Sequence, residues 1–467
     1  MERADIPFLS ATQLSQAIRD RDVSPIEALE SYLDRIDDLD HRFNAYLTVC
    51  RKDALAAAQE AEREIASGRY RGPMHGIPVA VKDQMWTKGV RTTGGSTFFA
   101  DFFPEEDSTP IANLKAAGGI LLGKTNLTEF AIGGAQRFAF GRNPWDLDRF
   151  TGGSSMGSAS ATAAFLCATS LGEDTGGSIR RPAAWCGVVG LRPSWGRVSR
   201  YGLMPGSWSM DQVGPISRTV SDAAITLGAI AGHDPRDPYT WDVPVPDYTA
   251  ALTGNIEGMR VGLVANLTRW DQVDPEVTAA VQKASETLGQ LGATVEEHSL
   301  PLGRDTGTMA QVLINTEASV YHRERLRTGL QQFGRSNRTG LLTAGVMPAQ
   351  AYYKVQKLRT LVRQQVLEAL DKYDVLVMPT AKTAAPLVGD DPVITSKEMA
   401  AGQTLVLTRP FNLAGCPALS INCGFTGSGL PIGFQIGGRP FDEETVLRVA
   451  HAYEQATPWH TMRPPTA

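Results

Sequence analysis

Cysteine is sparse in this chain and never paired. Its five copies, Cys50, Cys167, Cys186, Cys416 and Cys423, form no C-x-x-C motif. That pattern offers neither a thiol metal knuckle nor a disulfide framework, and it reads as buried thiols in a reducing compartment. Histidine is scattered as His41, His75, His233, His298, His322, His451 and His460, with no H-E-x-x-H and no i,i+4 pair. No catalytic metal and no cofactor are therefore expected. No uncharged apolar run approaches the ~18 residues of a membrane span. The opening MERADIPFLSATQL lacks the basic-then-apolar order of a secretory signal. The net charge of −5 supplies no basic footprint for nucleic acid or an anionic membrane. Repeats and low-complexity tracts are also missing. These absences point to a cytoplasmic protein acting on a small molecule.

What is present fits a globular chain: 42% hydrophobic and 20% charged residues over 467 positions, with no long linker. One large α/β unit is the expectation. Ser24-Pro25-Ile26-Glu27 is a helix start with a capping box, followed by Ile26, Leu29, Leu33 and Ile36 at helical spacing. Residues 45–49 read as a strand, 54–66 as a surface helix, and 108–117 as a helix ending at Gly118-Gly119. Short strands are expected at 120–122, 168–172 and 188–191, with helices at 158–165 and from Ser221 to Ala231. Residues 202–214 read as a loop. Strand 259–264, helix 275–291 and strand 293–297 form a βαβ unit with a crossover long enough for a parallel pair. Residues 309–375 are helical, with Glu317, Tyr321 and His322 on one helix and Tyr352, Tyr353 and Lys357 on another. A buried strand at 374–378, a final strand pair at 418–423 and 432–436, and a closing helix at 446–455 complete the chain.

The chemistry concentrates in residues 150–196. Two Gly-Gly-Ser turns, Gly152-Gly153-Ser154-Ser155 and Gly176-Gly177-Ser178, flank an apolar small-residue segment. Glycine pairs admit positive φ and close backbone approach. The amides of Thr175, Gly176, Gly177 and Ser178 are candidates for an oxyanion hole. A serine nucleophile needs a base. Upstream, Val79-Ala80-Val81 is a β-prone apolar run, so Lys82 ends a buried strand. Desolvation there lowers a lysine pKa by up to about 3–5 units, and a neutral amine accepts a proton.

Lys82 in GIPVAVKD, the GGSS-x-GS loop and DTGGSIRxPA together resemble the amidase signature family, and the interval from Ser154 to Ser178 also fits. The resemblance runs from about Pro25 to Trp459 and includes DPRDP at 234–238 and FNLAGCPALS…GLPIGFQI. It implies a large twisted mixed β-sheet covered by α-helices on both faces. It also implies one domain over 1–467, with a signature core at about 70–235 and a variable helical region lining the pocket at about 305–400. A Ser–cis-Ser–Lys triad follows from it: Ser178 as nucleophile, Ser154 as bridging serine with a cis peptide at its amide, and Lys82 as base. Ser155 would support Lys82 by a hydrogen bond. Met156 stands where many members have glycine, and it points either into the pocket or into the core.

Three other motifs compete. Gly118–Thr125, GGILLGKT, matches a phosphate loop formally, but its interior is strand-like and a helix precedes it. It reads as a helix–turn–strand unit with Lys124 solvated or paired. Gly153–Gly157 matches G-x-S-x-G around Ser155, yet residues 144–152 read as loop, whereas a nucleophile elbow needs a strand. His75 could enter a Ser-His-Asp arrangement, which geometry alone decides.

Substrate contacts are expected from Phe130, Gly133, Met156 and Arg181. Residues 130–134 are a candidate pocket wall, and Asn126 a candidate cap for a short helix there. Arg180 and Arg181 either meet a substrate carboxylate or lock the loop through Asp174 and neighbouring carbonyls. Met85, Trp86 and Trp208 add an apolar character that core packing would explain equally. The reading is a serine hydrolase cleaving a carboxylic amide, with carbamates (urethanes), aryl amides and esters chemically accessible, acting as a monomer or homodimer. The alternative is the glutaminase subunit of a tRNA-dependent amidotransferase, working with partner chains.

Overall fold

The computed structural model describes residues 2–132, 137–388 and 406–467. Thirteen strands occur among them: β1 Tyr46–Val49, β2 Pro78–Lys82, β3 Ile120–Thr125, β4 Arg142–Asn143, β5 Asp146–Phe150, β6 Thr169–Glu173, β7 Val189–Arg192, β8 Val213–Ser217, β9 Arg260–Val264, β10 Thr294–His298, β11 Val375–Pro379, β12 Ala418–Phe425 and β13 Pro431–Gly437. Eleven form one mixed sheet in the order β1-β3-β2-β6-β8-β7-β12-β13-β11-β9-β10, while β4 and β5 make a separate hairpin. Helices flank the sheet, which draws strands from nearly the whole length of the chain. The expected α/β architecture is the observed one.

β2 runs parallel to β3 on one side and to β6 on the other, with Val81 opposite Leu171. Lys82 and Glu173 are the last residues of β2 and β6, so they emerge side by side at the carboxyl edge of the sheet. In open α/β sheets that edge is where ligand crevices form. Every residue of both strands is buried.

Local signals explain most elements. Helix Pro25–Phe43 carries the predicted capping box, with Ser24 accepting from Glu27 and Glu27 reaching back. Helix Pro275–Gln290 connects β9 to β10, which pair in parallel as expected. Four helices, Thr306–Tyr321, Arg323–Thr328, Arg335–Gly345 and Ala349–Lys372, fill the predicted helical region.

Several expectations are corrected. The helix read at 54–66 begins at Arg51 and buries Ala54, Ala58, Ala61 and Ile65. β3 continues through Gly123-Lys124-Thr125, because Lys124 is buried and donates to Met85 O, Thr87 Oγ1 and Thr92 Oγ1. Its ammonium is thus paired structurally. Asn126 caps nothing; its amide bridges Asn44 O and Ala139 O. Residues 202–214 are not all loop, since Val213 and Gly214 open the central strand β8. Gly214-Pro215 disguised that strand. Pro215 is tolerated because β7 pairs only with Ile216 and Ser217, so the missing N–H leaves no gap there. Residues 146–150, read as loop, form β5, held by the local hairpin with β4. Helix Arg180–Cys186 was not anticipated.

Candidate active site

Lys82 leaves β2 fully buried, and its amine lies 2.7 Å from Ser154 Oγ, 3.1 Å from Glu173 O and 2.9 Å from Glu173 Oε2. Burial lowers the Lys82 pKa, and the neighbouring Glu173 carboxylate opposes that by raising it; the net direction is down. The peptide bond between Gly153 and Ser154 is cis, as the resemblance implied. Exposure rises in order from Lys82 at 0% through Ser154 at 3% to Ser178 at 8%. The three predicted residues thus grade from a dry amine to a hydroxyl at the edge of solvent. The two serine turns are tied directly, with the Ser155 amide donating to Ser178 O at 3.3 Å.

Ser155 does not reach Lys82, contrary to expectation. Its hydroxyl donates to Glu173 O at 3.1 Å and accepts from the Glu173 amide at 3.2 Å. It therefore supports the lysine one step removed, by clamping the backbone that receives it. The hydroxyl is buried and doubly engaged, which also removes the G-x-S-x-G reading of Ser155.

The loop after β6 is folded around Asp174. Its carboxylate accepts the Gly177 amide at 2.6 Å, the Ile179 amide at 3.3 Å, Arg180 Nε at 3.1 Å and Asn412 Nδ2 at 2.7 Å. Burial would raise this carboxyl, but Arg180 and Arg192 outweigh it and hold the pKa well below the usual range. Gly177 must accordingly be struck from the predicted oxyanion donors, since its N–H is turned inward. Among the described residues no acceptor takes the amides of Thr175, Gly176 or Ser178. The Gly176 carbonyl is fixed from behind by Thr408 Oγ1 at 2.8 Å and Arg409 Nε at 3.0 Å.

Arg180 is wholly structural, reaching Thr408 O, Gln435 Oε1 and Asn412 Oδ1 besides Asp174. Arg181 donates to Gly153 O at 2.8 Å and stacks over Trp185, so it pins the Ser154 turn. Burial, reinforced by Arg409, pushes its pKa down to about 9. Met156 opens helix Met156–Ala163 and lies buried against Gly141. Phe130, at φ 54°, is buried in an aromatic cluster with Phe98, Phe99, Phe333 and His322. That packing joins residues 94–132 to the helical region. Gly133 lies outside the described residues. His75 faces Glu64 at 3.2 Å and the Arg71 amide at 3.1 Å rather than a serine.

Sequence reasoning missed Glu173, the buried partner of Lys82. Its role becomes visible only with β2 and β6 as parallel neighbours, which bring the ends of the two strands together.

A family model described as Amidase matches residues 27–447. This chain belongs to the amidase signature family. It is 43% identical over 480 residues to a glutamyl-tRNA(Gln) amidotransferase subunit from Thermosynechococcus vestitus, covering 97% of this chain and 98% of the relative. Among solved structures it is similar to a vestigial protein complex bearing on the origins of an s-triazine catabolic enzyme (TM-score 0.89, 31% identity, 96% and 98% of the two chains). It is also similar to the peptide amidase of Stenotrophomonas maltophilia (TM-score 0.85, 31% identity, 98% and 99%). As a member of this family the chain is read as acting on carbon–nitrogen bonds.

Proposed function

We propose that the chain hydrolyses a carboxylic amide through an acyl-enzyme on Ser178. The observation that carries this reading is the 2.7 Å contact between the dry Lys82 amine and Ser154 Oγ. Neutral Lys82 takes the proton of Ser154 as Ser154 takes that of Ser178. Ser178 Oγ bonds to the acyl carbon, whose carbonyl electrons move to oxygen. The amides of Gly176 and Ser178, with Thr175 beside them, hold that oxyanion; one such donor contributes about 2.7–4 kcal/mol in known enzymes. Lys82 returns the proton through Ser154 to the leaving nitrogen, and water then cleaves the acyl-enzyme. The pocket-lining role of residues about 305–400 belongs to the same proposal.

Two substrate readings remain within this chemistry. The curated relatives, at 40–43% identity over nearly full length, support the amidase subunit of a tRNA-dependent amidotransferase, with glutamine as the amide and partner chains beside it. A stand-alone hydrolase of small aryl or alkyl amides, or of carbamates, is supported less strongly, by structural likeness to the peptide amidase and to a bacterial aryl acylamidase. The purified chain, assayed against glutamine, aryl amides, carbamates and esters, separates them. Glutaminase activity confined to a reconstituted complex supports the first. Turnover of aryl amides by the chain alone supports the second. Full amide hydrolysis by Ser178→Ala would remove both.

A further inference from the structure

Behind Lys82 stands a buried acidic unit. Glu173 Oε2 lies 2.9 Å from the Lys82 amine, and Glu173 Oε1 lies 2.6 Å from Thr175 Oγ1. Thr175 Oγ1 lies in turn 2.8 Å from Asp211 Oδ1. Lys82, Glu173, Thr175 and Asp211 are each at most 2% exposed. A hydroxyl has one proton to donate, and an ionised carboxylate only accepts. Thr175 therefore donates to one carboxyl at a time and ties the Glu173 and Asp211 carboxyl groups into one unit. Asp211 also accepts the Gly206 and Ser207 amides at 2.8 Å, which fix it from behind, while burial and the neighbouring Glu173 push its pKa well above the usual range. Glu173 Oε1 is thus held by Thr175, and Oε2 is the oxygen that faces Lys82.

We infer that Glu173 is a positioning residue that sets the basicity and orientation of Lys82, with Thr175 holding its other carboxyl oxygen. The inference rests on the proposed Ser178–Ser154–Lys82 relay. It assigns the lysine a partner that the triad does not contain. When Lys82 takes up the Ser154 proton, the new ammonium faces a carboxylate already in place. The other charged groups around this group are Asp174, on the loop after β6, Asp211, just before β8, and Arg192, on β7, which faces Asp174, Glu173 and Asp211. Asp174 is occupied by Arg180 and Arg192, so Glu173 is the carboxylate that contacts the amine. Ser155 clamps the Glu173 backbone from both sides and holds the geometry.

The sign of the effect is defined. Glu173 raises the Lys82 pKa. Removing its charge lowers that pKa, so the amine stays neutral to lower pH, but it becomes a weaker base. The readout is the rate at which a fluorophosphonate labels Ser178 between pH 5 and 10, followed by intact mass, because it needs no knowledge of the substrate. In Glu173→Gln the labelling midpoint moves to lower pH by roughly 1–3 units, the effect of a charge within hydrogen-bond range, and the plateau rate falls. Circular dichroism checks that each variant is folded. A folded Glu173→Gln with an unmoved midpoint, while Ser178→Ala stays unlabelled, overturns the inference and leaves the relay standing. Labelling of Ser178→Ala at the parent rate, or no labelling of the folded parent, overturns the relay itself.

Discussion

The amide of Gly177 donates to Asp174 at 2.6 Å, and this bond determines which backbone donors of the loop are left for a ligand. It turns one N–H inward and leaves those of Thr175, Gly176 and Ser178 without an acceptor among the described residues. The same carboxylate gathers Arg180, Arg192 and Asn412 from helix Arg180–Cys186, β7 and helix Arg409–Ala414. One aspartate thus joins the nucleophile loop to the second half of the sheet.

Asp174→Asn should destabilise the fold by about 3–5 kcal/mol, the cost of stranding a buried partner charge, as measured by urea unfolding at pH 7. The pH dependence has a definite sign. The depressed Asp174 carboxyl contributes stability that is fully present above its unfolded value of about 3.9 and is lost as pH falls below it toward the native value. The gap between parent and variant should stay constant from pH 5 to 8 and narrow below pH 4.

Gly177 has φ 116°, and a Cβ built on it collides with Thr408 Oγ1. Gly177→Ala combines a forbidden backbone region with a clash against a side chain that holds Gly176 O. A destabilisation of roughly 1–3 kcal/mol is expected. Labelling of Ser178 should slow at least about 10-fold, since the neighbouring donors shift with the turn. Thermal unfolding and fluorophosphonate kinetics check the two effects.

Glu454, in the closing helix, accepts the Val220 amide at 2.9 Å, and burial pushes its carboxyl up to about 8. A raised native pKa means stability that is complete below the unfolded value of about 4.3 and is lost as pH rises through 8. Glu454→Gln keeps the acceptor and cannot ionise. The variant should gain on the parent between pH 5 and 8 by about 1.4 kcal/mol per pH unit, up to a few kcal/mol. Unfolding free energies at pH 5, 6.5 and 8 test this.

Much of the architecture was readable because its signals are local. Ser24-Pro25-Ile26-Glu27 carries its own helix start, and the 259–297 unit alternates strand and helix at ordinary lengths. β8 was hidden because Gly214 and Pro215 argue against a strand unless it is known that β7 does not pair at Pro215. The Lys82–Ser154 contact was legible only through the family resemblance that the motifs around both residues carry. Glu173 was not, because a carboxylate inside a glycine-rich motif reads as solvated until β2 and β6 are known to be parallel neighbours. Arg181 and Phe130, expected at the substrate, lie against Gly153 O and in an aromatic cluster, respectively.

The central claim is that Ser178 is the residue that becomes acylated. Fluorophosphonate labelling of the purified chain, digestion and mass mapping test it most directly. The account predicts a single adduct on Ser178, absent in Ser178→Ala and strongly slowed in Lys82→Ala. An adduct on Ser155 or Ser154 in the parent, or undiminished amide hydrolysis by Ser178→Ala, would contradict it.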